Sequence, residues 1–164
     1  MHRSLIAVPV LLVLCVVHPQ PGRGQTVSVA AATGPSFLPG SGTVGDWHGL
    51  VGVGIQQEAL GARLEAMYAG VPGADLVALT GNLVWILRRG GLTDAEPYLI
   101  AGIGSYVKFT ESRFGVNGGV GVRRRMGPIR LFAEMRYHRV TRQFEEAGNA
   151  DTFIPVSVGL VLGR

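Results

Sequence analysis

From residue 27 onward apolar and polar positions alternate with a period of two, and glycine, proline, aspartate and asparagine interrupt the alternation at intervals. That period places successive side chains on opposite faces of an extended strand, each face meeting a different environment. Eight strands follow from it, beginning with 27–32, which a loop containing Pro35, Pro39 and Gly40 closes. The second, 46–56, sets Trp47, Val51, Val53 and Ile55 against His48, Gly52, Gly54 and Gln56. In the third, 61–70, Ala62, Leu64, Ala66 and Tyr68 oppose Arg63, Glu65 and Met67. The fourth, 75–88, sets Val77, Leu79, Leu83, Trp85 and Leu87 against Thr80, Asn82 and Arg88.

The second half repeats the pattern. The fifth strand, 96–109, is apolar on both faces, so periodicity leaves its facing open. The sixth, 113–123, sets Phe114, Val116, Val120 and Val122 against Arg113, Gly115, Asn117, Gly119, Gly121 and Arg123. The seventh, 129–141, is the clearest: Ile129, Leu131, Ala133, Met135 and Tyr137 share one face, and Arg130, Glu134, Arg136 and His138 the other. The eighth, 152–163, opposes Ile154, Val156, Val158, Leu160 and Leu162 to Phe153, Ser157, Gly159 and Gly163. Short links at 58–60, 89–95 and 124–128 alternate with connections at 34–45, 71–74, 110–112 and 142–151. Their turn-forming residues supply the geometry of the reversals.

Alternation does not say which face is the core. A soluble lipocalin-like barrel turns its apolar face inward to bind a ligand; a membrane barrel turns that face to lipid and fills its lumen with polar groups. Three features favour the second. Gly115, Gly119 and Gly121 share a face with Arg113, Asn117 and Arg123. The interior of an eight-stranded barrel is only wide enough for side chains to fill, so long arginines inside it require glycine neighbours. On a solvent-facing surface the same glycines would only weaken the strand. Trp47, Tyr68, Trp85, Phe114 and Tyr137 recur near strand ends on the apolar face, where interfacial aromatics belong.

The third feature is the N-terminus. His2 and Arg3 precede an uncharged stretch over 5–17, too short for a spanning helix, which needs about 20 residues, but suited to a secretory signal. The expected organisation is a signal peptide over 1–25, cut after Gly24 or Gln25, and a barrel domain over 26–164. An uncleaved anchor helix and a lipoprotein modified at Cys15 are the alternatives. Cys15 is the sole cysteine, so a cleaved chain carries no disulfide. Both termini then lie on the periplasmic side, with the short links as periplasmic turns.

Composition narrows the picture further. Hydrophobic residues make up 47 % and charged residues 16 % of the 164, below the roughly 25 % charged share of soluble domains. The formal charge of +4 falls to about +2 without Arg3 and Arg23, which gives no basis for a nucleic-acid partner.

Four stretches resemble the outer-membrane β-barrel family that includes the small OmpA- and OmpX-like barrels. They are PYLIAGIGSY at 97–106, FGVNGGVGVR at 114–123, LFAEMRYHRV at 131–140 and FIPVSVGLVL at 153–162. The resemblance implies an eight-stranded antiparallel up-and-down transmembrane barrel. It also implies outer-membrane lipid and the barrel-assembly machinery as partners, and a monomer. Family members end in an aromatic residue that the machinery reads. This chain ends in Leu162, Gly163 and Arg164, so either recognition is weakened or the readout tolerates the difference.

The expected luminal network comprises Arg63, Glu65, Asn82, Arg123, Arg130, Glu134, Arg136 and His138. Strands three and seven lie opposite each other in such a barrel, so Glu65 can meet Arg130 or Arg136, and Glu134 can meet Arg63. The favoured reading is an ion-pair plug in a barrel with a structural or surface-interaction role; a narrow anion pore is the alternative. Because some barrels of this family modify lipid A, His138 with Ser157 or Ser105 also raises an interfacial enzyme. No carboxylate is placed to orient that imidazole, and His48 likewise reads as part of the polar network. No catalytic residue is assigned. Neither metal-ligand spacing nor a phosphate-binding glycine loop occurs, and no cofactor is expected.

Overall fold

The computed structural model describes residues 25–39, 44–71, 74–87, 95–108, 111–141 and 152–163. They form eight strands: β1 (Gln25–Phe37), β2 (Val44–Gln57), β3 (Leu60–Val71), β4 (Ala74–Ile86), β5 (Ala95–Lys108), β6 (Glu111–Met126), β7 (Ile129–Val140) and β8 (Thr152–Gly163). Each pairs antiparallel with its neighbours in sequence, and β1 pairs with β8 from Ser28↔Gly163 to Phe37↔Ile154, closing the barrel. Closure leaves no open sheet edge, so the ladder's backbone donors and acceptors are satisfied within the wall. We call the end that carries Gln25 and Gly163 the lower end. The segment over 1–24, with the expected signal and Cys15, lies outside the described residues.

Every strand is apolar outward. Leu64 and Tyr68 of β3, Leu79 and Leu83 of β4, and Met135 of β7 are exposed, while Glu65, Asn82, Glu134 and Arg136 are buried in the bore. The soluble reading, which required the apolar face inside, is thereby corrected: the hydrocarbon surface is the exterior. Strands of 12 to 16 residues exceed the roughly 9–11 that a tilted membrane crossing needs.

Two boundaries differ by three residues or more from those the sequence predicts, each for a local reason. β1 continues past Ala32 through Pro35 to Phe37, with a register shift between Pro35 and Phe37. A proline cannot donate to the ladder, and a bulge takes it up where pairing is already irregular. β6 continues through Arg124 and Arg125 to Met126, leaving only Gly127 and Pro128 in the turn. Gly127 has φ +64°, and glycine followed by proline suits a two-residue hairpin reversal that opens with a positive φ. The β2–β3 turn makes a similar reversal with Glu58 at φ 49°.

The facing of β5, open from periodicity, is settled in the structure. Tyr98, Ile100, Gly104, Tyr106 and Lys108 point into the bore, while Leu99, Ile103 and Val107 point outward. Ser105 lies on the outer face and hydrogen-bonds Ser112 at 2.8 Å. The interior is therefore not purely polar. Leu50, Met67, Leu76, Tyr106, Val140 and Phe153 pack together in its upper half, and Val84, Ile86, Tyr98 and Ile100 form a second group lower down.

Candidate functional site

The centre of the bore is built from strands that face each other across it. β3 and β7 run in the same direction on opposite sides, and each carries two charges two residues apart. Arg63 and Glu65 on β3 meet Glu134 and Arg136 on β7 in reversed order, so each charge finds its opposite. Arg63 Nη2 donates to Glu134 Oε2 at 2.6 Å, and its Nε lies 2.6 Å from Glu65 Oε1. Arg136 grips Glu65 with two nitrogens, Nη1 to Oε2 at 2.5 Å and Nη2 to Oε1 at 2.9 Å. Its Nε donates to Glu134 Oε1.

Neighbouring strands complete the shell. Tyr98 donates its hydroxyl to Glu134 Oε2 at 2.8 Å, and Asn82 Nδ2 donates to Glu65 Oε2 at 2.8 Å and to Thr80 Oγ1 at 3.0 Å. The Arg63 guanidinium lies 5.7 Å from the centre of the Phe132 ring. Glu65 and Glu134 are only 2 % and 3 % exposed. Two buried carboxylates are tolerable because two guanidiniums neutralise them and these donors occupy their lone pairs.

Not every expected member joins this quartet. Arg123 pairs with Glu96 at 2.7 Å nearer the lower end, and Arg130 lines the lower mouth, while the second partner of Glu65 across the bore is Arg136. His138 lies above the quartet, with Nδ1 2.9 Å from the Tyr106 hydroxyl and its ring stacked on Phe153 at 4.7 Å. Ser157 does not meet His138; its Oγ lies 2.8 Å from His48 Nε2, and His48 Nδ1 lies 3.2 Å from Ser36 Oγ. This Ser–His–Ser chain is buried and holds no carboxylate. Arg88 lies outside the described residues, and among those described no group of three metal-ligating side chains occurs.

Sequence reasoning missed Tyr98, Tyr106, Glu96 and the His48 pairing. The tyrosines carry a usable signal: Gly102 and Gly104 share their parity in β5, as glycines do with the large luminal residues of β6. The steric complement is visible, since a Cβ at Gly115 would come 2.7 Å from Tyr106 Cε2 and one at Gly121 would strike the Tyr98 ring.

The aromatic positions are exposed on the outer wall. Trp47, Tyr68, Phe114 and Tyr137 lie toward the upper ends of their strands and Trp85 toward the lower, with Trp47 at 68 % exposure.

A closed eight-stranded barrel with an apolar exterior and a charged, glycine-relieved interior defines the architecture of small outer-membrane barrels. Solved structures share it. Neisserial surface protein A superposes with a TM-score of 0.64 at 15 % identity, covering 85 % of this chain and 96 % of that one. A major outer membrane protein from Thermus thermophilus superposes with a TM-score of 0.56 at 12 % identity, covering 85 % and 99 %. At these identities the likeness is one of fold. No family model and no curated protein matches the sequence.

Proposed function

We propose that the chain is an integral outer-membrane β-barrel protein with a structural or surface-interaction role, its bore closed by the Arg63–Glu65–Glu134–Arg136 quartet. The observation that carries this reading is the inversion of faces: exposed valines, leucines and aromatics outside, neutralised charges inside. In water such an exterior would be a large sticky surface, far beyond the few hundred Å2 of contiguous apolar patch that soluble monomers show. Against hydrocarbon it is the stable arrangement. A monomer is the simplest state for a closed barrel, whose partners are then the surrounding lipid and, during assembly, the insertion machinery.

The quartet favours a plug over an anion pore, because its two arginines are matched by two carboxylates and its members span the bore. A lipid-modifying activity draws no support from His48 and Ser157. They are sealed inside the wall, whereas a nucleophile for lipid must meet the bilayer interface.

The test is envelope fractionation followed by electrophoresis without boiling. A band in the outer-membrane fraction whose mobility changes on heating is expected. Recovery of the folded chain from the periplasm without detergent would overturn the reading.

A further inference from the structure

The outer wall of the barrel is almost free of charge. Among the described residues, the outward-facing positions of the strands carry only Asp75, Arg124 and Arg139 as charged side chains, all exposed and all close to a strand end. Asp75 accepts a hydrogen bond from the Tyr68 hydroxyl at the upper rim. The two arginines have no such arrangement: among the described residues neither makes an ion pair or a hydrogen bond.

Their positions bracket an apolar band. Arg139 lies near the upper end of β7, between Val116 of β6 and Thr152 of β8, with Tyr137 the next outward residue below it. Arg124 lies near the lower end of β6, between Ala95 of β5 and Leu131 of β7. Between the two, the outward residues from Val116 to Val122 on β6 and from Leu131 to Tyr137 on β7 are all uncharged. From Val116 to Arg124 the strand covers about 27 Å, which is roughly 20 Å along the barrel axis at the usual tilt. Long arginine stems carry their guanidiniums further outward, to the borders of an apolar band about 25 Å tall. A guanidinium facing hydrocarbon is costly at the bilayer midplane and nearly without cost at the border. There a lipid phosphate can accept two hydrogen bonds from its planar fork.

We propose, resting on the membrane placement of the barrel given above, that Arg124 and Arg139 bind the phosphates of lipid headgroups, one at each border of the bilayer. Headgroups with net negative charge are the preferred partners, because the wall offers each guanidinium no carboxylate of its own.

The test places the full chain in phosphatidylcholine vesicles with a trace of lipid spin-labelled on its acyl chain, either phosphatidylglycerol or phosphatidylcholine. Electron spin resonance separates lipid held at the barrel wall from lipid in the bulk. Each arginine should favour the anionic headgroup about fivefold at its own site, so the wall-held fraction of phosphatidylglycerol should exceed that of phosphatidylcholine. Arg124→Gln and Arg139→Gln should each lower that excess, and the double variant should bring the two lipids close to parity. Arg125→Gln removes the same charge from the opposite face of β6 and should leave the excess in place. Equal wall fractions in wild type overturn the proposal, as does an excess that survives in the double variant. A loss from Arg125→Gln as large as that from Arg124→Gln would trace the preference to net charge and overturn it too. Replacing chloride with inorganic phosphate at constant ionic strength should leave the excess unchanged; its disappearance would give the arginines to the free ion instead. Failure of the membrane reading looks different, with no wall-held fraction of either lipid and no heat-modifiable band, and overturns both. Each variant is first checked for that band, so loss of the barrel is distinguished from loss of the site.

Discussion

Glu134 accepts from three neighbours at the centre of the bore. One oxygen accepts from Arg63 and Tyr98 and the other from Arg136. Glu134→Gln leaves two buried guanidiniums facing a single carboxylate, and breaking a buried pair typically costs about 3–5 kcal/mol. The expected result is a clearly lower urea midpoint for the folded gel band, with exposed Glu58→Gln within about 0.5 kcal/mol of wild type. Equal losses for the two variants would deny the quartet its role. A second residue-scale prediction concerns volume. Gly121→Val drives a side chain into the Tyr98 ring, an overpacking worth about 1–3 kcal/mol, and Tyr98→Ala in the same chain should recover part of it. A double-mutant cycle measures that coupling, and purely additive losses would reject the contact. At this scale the pairing of Arg63 with Glu134 was legible, because reversed charge order on opposite strands admits few matches. The partners of His138 and Ser157 were not legible, because they depend on strand stagger and rotamers that no periodicity encodes.

The elements were largely readable, and the exceptions are instructive. β8 spans Thr152–Gly163 as the sequence predicts, since alternation runs through it from end to end, Pro155 included. β1 outran its expected end because Pro35 reads as a loop signal, yet a bulge admits it to the wall. β6 kept Arg124 and Arg125 because only Gly127 and Pro128 are needed to reverse the chain. The facing of β5 was lost to its double apolarity, although Gly102 and Gly104 held the answer. The prediction proper to this scale tests what the outer face of a strand meets. Leu79 is 54 % exposed near the middle of β4. If hydrocarbon surrounds it, Leu79→Arg should cost about 2–4 kcal/mol in reversible unfolding from lipid vesicles, whereas Trp47→Arg near the rim should cost about 0–1 from the charge. A neutral or stabilising Leu79→Arg would return the exterior to water.

At the scale of the whole molecule, the proposed plug closes the bore at two levels. Below the middle stands the charged quartet, and above it Leu50, Met67, Tyr106 and Phe153 form an apolar layer. Wild-type barrel should therefore show no steady conductance in planar bilayers. The double change Glu65→Ala with Arg136→Ala removes a matched pair, leaves Arg63 facing Glu134, and should remain silent. Adding Tyr106→Ala and Phe153→Ala opens the second layer, and only then should unitary currents appear. Conductance from the double variant alone would show that the apolar layer does not seal.

The sequence by itself determined the strand count, the two faces of six strands and the complementary charges, because a period of two and the sign of a charge are local properties. Only the tertiary structure decided how far β1 and β6 extend, which way β5 faces, that His48 and not His138 meets Ser157, and that Tyr98 reaches Glu134. Those depend on the stagger at which the sheet closes. Stagger sets which side chains share a level in the bore, and it is a property of all eight strands together.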